Sequence, residues 1–346
     1  MFHKNLQYYR LKKAMSQKEL ASIVNVSPMA ISNYEKGLRQ PNMDVLKQLA
    51  KALNVRVSDF LAIRNENLVF SHGEFRKNTK LLGEKQQFVR ESVEEYFNRF
   101  FTVVEILGGD ILPEPTQCHV LPVSGDSESD AQSLRHHLNL SLDGPIYDLI
   151  GILENKGILF YICNLNKDQF SGMNGFVNNR PYIVLNGNMT SERNRSTIAH
   201  ELTHLMFVWS DDSAKDNAEN AATAISGAFL FPKDDAIREL GIRRTSITKD
   251  MLLIAKKYGI SMFLLVKRAY LSGIISQSIE KQFYIQASRM GWRKGEPSRI
   301  GKEEPILFKQ LVYRAVNENE ISIQRGAELL KVPYEEIVKH CFFNGD

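Results

Sequence analysis

Three residues in one short stretch carry the clearest chemistry of the sequence: His200, Glu201 and His204, within His-Glu-Leu-Thr-His. On a helix, side chains four positions apart lie on one face, so the two imidazoles can hold one metal ion between them. Glu201 lies beside them, placed to accept a proton from the water that attacks a peptide carbonyl. The spacing therefore predicts a zinc peptidase centre with Zn2+ as cofactor.

A catalytic zinc needs a third protein ligand, and four acidic residues follow the motif: Asp211, Asp212, Asp216 and Glu219. We choose Glu219 because it lies on a second helical pattern. A helix returning past the first one would bring this long carboxylate to the metal. We interpret the aspartates of the polar stretch 210–213 as residues that solvate a turn.

The metal motif needs a helix, which we expect to begin near Thr190 or Ser191 and to end at Trp209. Before it, 157–165 is rich in β-branched and aromatic residues, and 173–177 and 182–186 are joined by Asn-Asn-Arg, which is typical of a hairpin. A long helix over 82–107 and a polar loop over 125–133 precede these strands. We therefore expect a small antiparallel sheet packed against helices.

The first 62 residues are basic. They hold ten Lys and Arg against four Asp and Glu, a net charge of +6 in a chain whose total is +4. Ser16 is a candidate N-cap, Asn25 can adopt the left-handed turn conformation, and Ser27 with Pro28 begins the next helix. This pattern predicts a helix-turn-helix, and its charge favours contact with DNA phosphates. A packing or dimerisation module is the alternative.

The string SQKELASIVNVSPMAISNYEKGLRQPNMDVLKQLAKALNV resembles the XRE/lambda-repressor-like family along its full length. The resemblance implies that Gln17, at the start of the second helix, contacts the DNA backbone. It also implies that the exposed face of the third helix contacts bases. The predicted DNA-binding set is therefore Gln17, Ser27, Met29, Ser32, Asn33 and the outward Lys36.

A second stretch, RPYIVLN…RSTIAHELTHLMF…ENAATAISGAFLFP, resembles the ImmA/IrrE metallopeptidases. Their pattern is a strand ending in Asn, a HExxH helix, and a helix of ExxA type that closes on a Pro. The resemblance implies His200, His204 and Glu219 as metal ligands and Glu201 as the general base. Departures from the pattern, which alter packing more than chemistry, are Thr223, Ile225, Ser226 and Phe231.

The composition excludes several classes of protein. The 346 residues are enough for two or three domains, and 43 % hydrophobic with 24 % charged residues is ordinary for a globular protein. No apolar run approaches the roughly 20 residues that span a bilayer, and the N-terminus lacks a secretion signal. Cys118, Cys163 and Cys341 form neither a disulfide framework nor a Cys-x-x-Cys pair. We expect a cytoplasmic protein with no membrane partner.

The C-terminal third repeats the helix-turn-helix pattern twice, at 251–261 and 322–333. Ala21, Val26 and Ile31 correspond in the two later copies to Ala255, Ile260 and Leu265 and to Ala327, Val332 and Ile337. Extra DNA-binding units are one interpretation, and helical corners used for packing or partner binding are the other. We favour packing or partner binding for the middle copy, because its third helix is apolar all round, and leave the last copy open.

These patterns predict a mainly α fold of the α+β kind. It consists of an N-terminal helix-turn-helix bundle, a zincin-like peptidase domain with a small antiparallel sheet, and a helical C-terminal domain. The predicted domains are 1–63 for DNA binding, 64–125 for a linker and long helix, 126–240 for the metallopeptidase, and 241–346 for the C-terminal domain.

A protease centre and a DNA reader on one chain predict a DNA-binding regulator with a zinc-dependent endopeptidase domain. The ImmA/IrrE resemblance implies a protein substrate, either a repressor or an antitoxin. The expected partners are therefore double-stranded DNA and this substrate, with a homodimer left open. The alternatives are a non-catalytic transcription regulator or antitoxin whose peptidase-like domain is a sensor or scaffold, and a structural metal domain. For the oxyanion-stabilising residue, the candidates are Tyr182, Arg180 and Tyr147.

Overall fold

The computed structural model describes residues 2–62, 65, 67–73, 83–165, 170–209, 215–293, 295–297 and 300–343. Within this described part, the chain divides into two compact units. The first contains Met1–Phe70, Lys77–Ile111 and Phe308–Asp346, and the second contains Ser71–Arg76 and Leu112–Leu307. The residue ranges that the sequence assigns to four domains stay a prediction.

Most of the described chain is helical. The helices are α1 (Phe2–Lys12), α2 (Gln17–Ile23), α3 (Pro28–Glu35), α4 (Met43–Leu53), α5 (Val57–Leu61), α6 (Gly83–Ile106), α7 (Ser127–His137), α8 (Leu149–Glu154), α9 (Ser191–Met206), α10 (Lys215–Leu230), α11 (Lys233–Leu240), α12 (Met251–Tyr258), α13 (Met262–Leu271), α14 (Gln277–Arg289), α15 (Leu307–Asn317), α16 (Ile323–Leu330) and α17 (Tyr334–Cys341). The strands are β1 (Phe70–His72), β2 (Leu121–Pro122), β3 (Leu159–Cys163), β4 (Gly172–Val177), β5 (Arg180–Asn186) and β6 (Phe207–Val208). The predicted mainly α fold with a small sheet is confirmed. Among these helices, none is both long and apolar enough to cross a membrane.

In the first unit, α2 and α3 form the predicted helix-turn-helix. The Ser16 hydroxyl accepts a hydrogen bond from the Glu19 amide, and the Glu19 carboxylate accepts one from the Ser16 amide, which defines where α2 begins. Asn25 has φ +53, the left-handed conformation required between the two helices. The shared core with α1, α4 and α5 contains Leu6, Leu20, Ala21, Val24, Ile31, Leu49, Leu53 and Phe60.

A buried ion pair joins α1 to the end of α3. Nε of Arg10 donates to Oε1 of Glu35 at 2.5 Å, and Nη2 donates to Oε2 at 2.9 Å. Arg10 is 3 % exposed and Glu35 is 5 % exposed. Two parallel hydrogen bonds between fixed planar groups are strong and directional, so this pair sets how the two helices meet. No local sequence pattern indicates it, because the partners are far apart in the chain.

The second unit contains a four-stranded sheet in the order β1-β4-β5-β3. β4 and β5 form the predicted hairpin, and Asn178 and Asn179 occupy left-handed conformations at its turn. However, β3 pairs with β5 in parallel, so the sheet is mixed and the prediction of an antiparallel sheet is wrong. Side chains alternate equally in both kinds of strand, so the sequence pattern does not distinguish them. Oδ1 of Asn186 accepts from the Leu165 amide at 3.2 Å, which holds the end of β3 beside the end of β5.

Helix α9, which carries the metal motif, begins where the sequence predicts, because Thr190 is its N-cap. It ends at Met206, before the predicted end at Trp209. The chain then forms β6, which pairs in parallel with β2, and the Val120 amide donates to the Met206 carbonyl at 3.0 Å. These contacts from a distant segment satisfy the backbone at the end of the helix, so α9 stops early.

The polar stretch predicted as a loop over 125–133 contains the start of α7. Asp126 caps this helix by accepting from the Glu128 amide at 3.2 Å, so the predicted loop is helical from Ser127 onward and only its first two residues lie outside the helix. Arg135 of α7 is 1 % exposed and donates from Nε to the Phe229 carbonyl at 2.9 Å. This hydrogen bond ties α7 to α10, the helix that carries Glu219.

Both C-terminal repeats of the pattern are helical corners. Gly259 between α12 and α13 has φ +64, and Lys331 before α17 has φ +56, so each supplies the left-handed residue that Asn25 supplies in the first copy. One face of α13 lies in the core of the second unit, which supports packing as the role of the middle copy. In the last copy, α17 carries Glu335 and Glu336 in its first turn, a charge that opposes contact with phosphates.

Candidate metal centre and DNA-facing surface

His200 and His204 lie one turn apart on α9, with their Nε2 atoms 3.0 Å apart. Helix α9 packs against β4 and β5 and against α10, so neither ring is carried by a loop. His200 is 3 % exposed, and the side chain of His204 is 20 % exposed. The two ring nitrogens thus lie close enough to bind one cation between them.

Glu219 on α10 completes the cluster. Its Oε1 lies 3.1 Å from Nε2 of His204, and its Oε2 lies 3.4 Å from Nε2 of His200. The Glu219 side chain is 40 % exposed, so solvent reaches the cluster from this side. The structure thus brings together the three side chains that the sequence predicts as ligands.

The donor separations can be compared with the size of a zinc site. Zinc bonds to His nitrogen and carboxylate oxygen are about 2.0–2.2 Å long, which places tetrahedral donors roughly 3.3 Å apart. The cluster has separations of 3.0, 3.1 and 3.4 Å. Within the described part of the chain, these three residues form the group whose candidate ligand atoms all lie within 4.8 Å of one another. The donor set therefore fits a divalent metal of the zinc type.

Thr223, one turn after Glu219, lies beside His200. Its hydroxyl donates to the Glu219 carbonyl at 2.8 Å and lies 3.5 Å from Nδ1 of His200. Because that hydroxyl proton is already used, the oxygen can only accept from Nδ1. With Nδ1 as the donor of this contact, Nε2 keeps the lone pair that a metal needs.

Glu201 lies on the side of α9 next to β4. Nδ2 of Asn174 on β4 donates to Oε2 of Glu201 at 2.9 Å, and Glu201 is only 4 % exposed. Gly172 of the same strand makes this approach possible, since a Cβ there would lie 2.5 Å from Cγ2 of Thr197. This hydrogen bond orients the carboxylate of the residue that directly follows His200.

Other candidates from the sequence lie elsewhere or outside the described residues. Asp211 and Asp212 lie outside the described residues. The side chain of Asp216 is not described either. Among the oxyanion candidates, Tyr147 is 68 % exposed. Arg180 donates to the Pro113 carbonyl at 2.6 Å. The hydroxyl of Tyr182 lies 2.6 Å from Nδ1 of His72, so β1 and β5 are linked there.

Two residues of the site were not predicted in these roles. Asn174 gives no signal in the sequence, because it reaches Glu201 only through the packing of β4 on α9. The family pattern marks Thr223 as a departure that affects packing, yet its hydroxyl lies 3.5 Å from a predicted ligand, His200. Its spacing of four from Glu219 on a helix is the one signal that could have indicated this.

The predicted DNA-binding residues are on or near the outer face of α3. Met29 is 69 % exposed, Lys36 is exposed, and Ser32 and Asn33 are half-buried. The exposed Ser27 caps α3 by accepting from the Ala30 amide at 3.1 Å. Gln17 is half-buried at the start of α2, and its Nε2 donates to Oε2 of Glu35 at 2.6 Å.

Comparison with known protein families matches two stretches of the chain. Residues 6–60 match a family model described as helix-turn-helix, and residues 153–270 match one described as an IrrE N-terminal-like domain. The first range covers α2 and α3, and the second covers the sheet strands β3 to β5 and the metal cluster. Residues 153–270 therefore form a metallopeptidase-like domain, and residues 6–60 form an XRE-like DNA-binding domain.

Curated relatives match over the N-terminal part. The HTH-type transcriptional activator BcrR of Enterococcus faecalis is 35 % identical over 79 residues, which is 23 % of this chain and 38 % of the relative. Multiprotein-bridging factor 1 of Candida albicans is 43 % identical over 54 residues, or 16 % of this chain and 36 % of the relative. The chain thus spans less than half the length of these relatives, and no solved structure matches it. From both family matches, the chain is a protein that joins an XRE-like helix-turn-helix domain to an ImmA/IrrE-like domain.

Proposed function

We propose that this protein is a DNA-binding regulator whose second unit is a zinc-dependent endopeptidase that cleaves a repressor or antitoxin. The convergence of His200, His204 and Glu219 beside Glu201 carries the proposal, because a purely structural zinc site has no use for a general base. The helix-turn-helix on the same chain supports a substrate that acts in transcription. The repressor or antitoxin as substrate rests on the ImmA/IrrE likeness.

The proposed ligand set matches a catalytic zinc site and not a structural one. Catalytic zinc sites have three protein ligands and an open position, whereas structural sites have four ligands, mostly Cys. The proposed set has two imidazoles and one carboxylate, and the half-exposed Glu219 side chain leaves a route for water. When bound, zinc supplies Lewis acidity that polarises a peptide carbonyl and favours deprotonation of water near neutral pH.

The residues of this chain would handle the protons. Glu201 accepts the proton of the attacking water on its carboxylate and returns it to the leaving amine. Asn174, through its hydrogen bond to Oε2, keeps that carboxylate from rotating away. Thr223 holds the tautomer of His200 in which Nε2 is unprotonated.

Metal analysis of the purified chain tests the ligand set. The parent is expected to bind one zinc per chain, and Glu219→Ala is expected to lose it. Asn217→Ala is the matched control, since it removes an exposed polar side chain from the same helix. Parental zinc content in Glu219→Ala would remove that residue from the site.

A comparison of cleavage by the parent and by Glu201→Gln tests the activity. Both proteins are expected to bind zinc equally, and only the parent should create new protein N-termini that mass spectrometry detects in the expressing cell. Those termini should map to a repressor or antitoxin. If both proteins yield the same termini and regulate a reporter equally, the peptidase-like domain is a sensor or scaffold.

A further inference from the structure

A cavity of about 920 Å³ lies at the beginning of α9 within the second unit. We call it the α9 pocket and define it by six of its lining residues. These come from the first turns of α9, from α13 and α14, and from the segment after α14: Arg193, Ser196, Phe263, Tyr284, Trp292 and Arg293. Nothing in the proposed metal chemistry uses this pocket.

The α9 pocket lies on the same helix face as the metal ligands. Arg193 and Ser196 precede His200 by seven and four residues, and this spacing keeps them in line along α9. At 1.5 Å per residue, they lie about 6 to 10 Å along the axis from the first ligand. An extended peptide advances about 3.3 Å per residue, so this distance corresponds to two or three residues.

The start of β4 also lies close to both the pocket and the metal centre. Ser171 lines the pocket and immediately precedes β4, the strand that carries Asn174. A Cβ on Gly172 would lie 3.8 Å from Cγ of Glu201, so the first residue of β4 lies close to the general base. An extended chain lying along α9 from Arg193 toward His200 would therefore pass both the pocket and the metal centre.

Aromatic rings form the apolar part of the pocket. The rings of Phe263 and Tyr284 are stacked, with centroids 5.8 Å apart and planes inclined by 9°. Trp292 packs edge-on against Phe283 with centroids 6.0 Å apart. The Tyr284 hydroxyl donates to Glu280 at 3.2 Å, which fixes this ring. Ordered aromatic faces of this kind favour a flat or bulky apolar side chain.

The charged part of the pocket favours an anion. Arg193 and Arg293 contribute two positive charges, and the positive end of the 16-residue α9 adds to them. One carboxylate also lines the pocket, that of Glu296. Its Oε2 accepts from the Met262 amide at 2.5 Å, so part of its charge is used at the start of α13.

We propose that the α9 pocket is a specificity pocket of the peptidase centre. It would take a segment of the protein substrate that carries an acidic residue next to an aromatic one, two or three residues from the cleaved bond. The proposal rests on the peptidase function proposed above and adds the class of substrate. Arg193 pairs with the acidic side chain, and the stacked rings contact the aromatic one.

Binding can be measured without cleavage. The chain has two tryptophans, so Trp209→Phe leaves Trp292 as the fluorescent reporter inside the pocket. The experiment uses the full-length, zinc-loaded chain with Trp209→Phe and Glu201→Gln, titrated with the peptide acetyl-Ala-Glu-Phe-Ala-amide. Acetyl-Ala-Lys-Phe-Ala-amide and acetyl-Ala-Glu-Ala-Ala-amide are the matched peptides. We expect saturable binding of the first and at least about tenfold weaker binding of both others.

Charge reversal identifies the residue responsible. Arg193→Glu should weaken binding of the Glu-Phe peptide by more than about tenfold. It should also reverse the preference, so that the Lys-Phe peptide binds more tightly. Arg289→Ala on α14, which removes another exposed arginine, should change neither. Arg293→Ala serves as a second pocket variant, and zinc content with circular dichroism confirms folding of each. Equal binding of the Glu and Lys peptides, or a Trp292 signal that does not change on titration, would overturn the proposal.

Cleavage-site profiling separates this proposal from the proposed function. With Glu201 intact, cleavage of a peptide library without enrichment of acidic and aromatic residues near the cut would leave the peptidase function and remove the pocket's role. Selective peptide binding without any cleavage would leave the pocket as a binding site and contradict the peptidase function.

Discussion

The side-chain amide of Asn174 donates to Oε2 of Glu201 at 2.9 Å, which connects a strand of the sheet to the general base of the proposed peptidase. Glu201 is nearly fully buried, so its carboxylate has few water molecules to orient it. A directed hydrogen bond from the strand therefore contributes to where the proton-accepting oxygen lies.

Asn174→Ala is expected to lower kcat on the order of 10- to 100-fold, the usual cost of removing a group that orients a site residue. Zinc content should not change, because Asn174 does not contact a predicted ligand. Steady-state kinetics on a substrate found by N-terminal profiling measures the effect. Gln132→Ala, an exposed polar truncation on α7, is the control. An unchanged kcat would show that Glu201 is oriented by other contacts.

Thr223→Val is expected to weaken zinc binding by roughly 10- to 100-fold. Valine keeps the shape of the side chain but cannot accept from Nδ1 of His200, so the tautomer with a free Nε2 lone pair loses its support. Competition with a chelator of known affinity gives the dissociation constant. Thr223→Ser retains the hydroxyl and should restore binding. Equal affinities in the Val and Ser variants would contradict this role.

Glu154 predicts a specific pH dependence of stability. Burial raises the pKa of this carboxyl to about 7, against the hydrogen bonds that it accepts from the amides of Ile306 and Leu307. The folded protein therefore holds a proton between about pH 4.5 and 7 that the unfolded chain releases. The contribution of Glu154 to stability is complete below this window and is lost as pH rises through 7, with a slope of at most about 1.4 kcal/mol per pH unit.

The variant Glu154→Gln keeps an acceptor for both amides but cannot titrate. Urea unfolding of parent and variant at matched pH values gives the difference in the free energy of unfolding. As pH rises from 4.5 to 7, the parent should lose stability relative to the variant, and above pH 7 the difference should stay constant. A flat difference across this range would show that the carboxyl titrates normally.

The Arg10–Glu35 pair should stabilise the helix-turn-helix through its burial. Glu35→Gln leaves the Arg10 charge unpaired in the core, and we expect a loss of about 3–5 kcal/mol. Hydrogen exchange of the amides of α2 and α3, followed by mass spectrometry, reports on this domain separately. The double variant Arg10→Met with Glu35→Met should lose much less stability, because it leaves no buried charge. Equal losses in both variants would mean that packing, and not charge, matters here.

DNA binding should separate Asn33 from Lys36. Asn33→Ala is expected to relax the preference at one base pair by about 1–3 kcal/mol, because an amide on the third helix can read a base edge. Lys36→Ala should weaken binding to all DNA sequences alike. It should also reduce the salt dependence of the binding constant by about one phosphate contact. Fluorescence anisotropy at several salt concentrations measures both. If neither variant affects binding, the unit is a dimerisation module.

The sequence alone was sufficient for features that depend on neighbours a few residues apart. The helix from Thr190 with His200 and His204 on one face, the hairpin of β4 and β5, and the turn at Asn25 all follow from spacing along the chain. Each is a local relation, since caps, turns and residues four apart contact one another wherever the element lies.

Tertiary structure decided what depends on distant segments. Four carboxylates follow the metal motif in sequence, and the packing of α10 on α9 brings Glu219 to the histidines. The contact of Asn174 with Glu201, the parallel pairing of β3 and the early end of α9 likewise come from segments that meet only on folding. Sequence spacing carries no information about such contacts, because they are created when separate elements bury their apolar faces against one another.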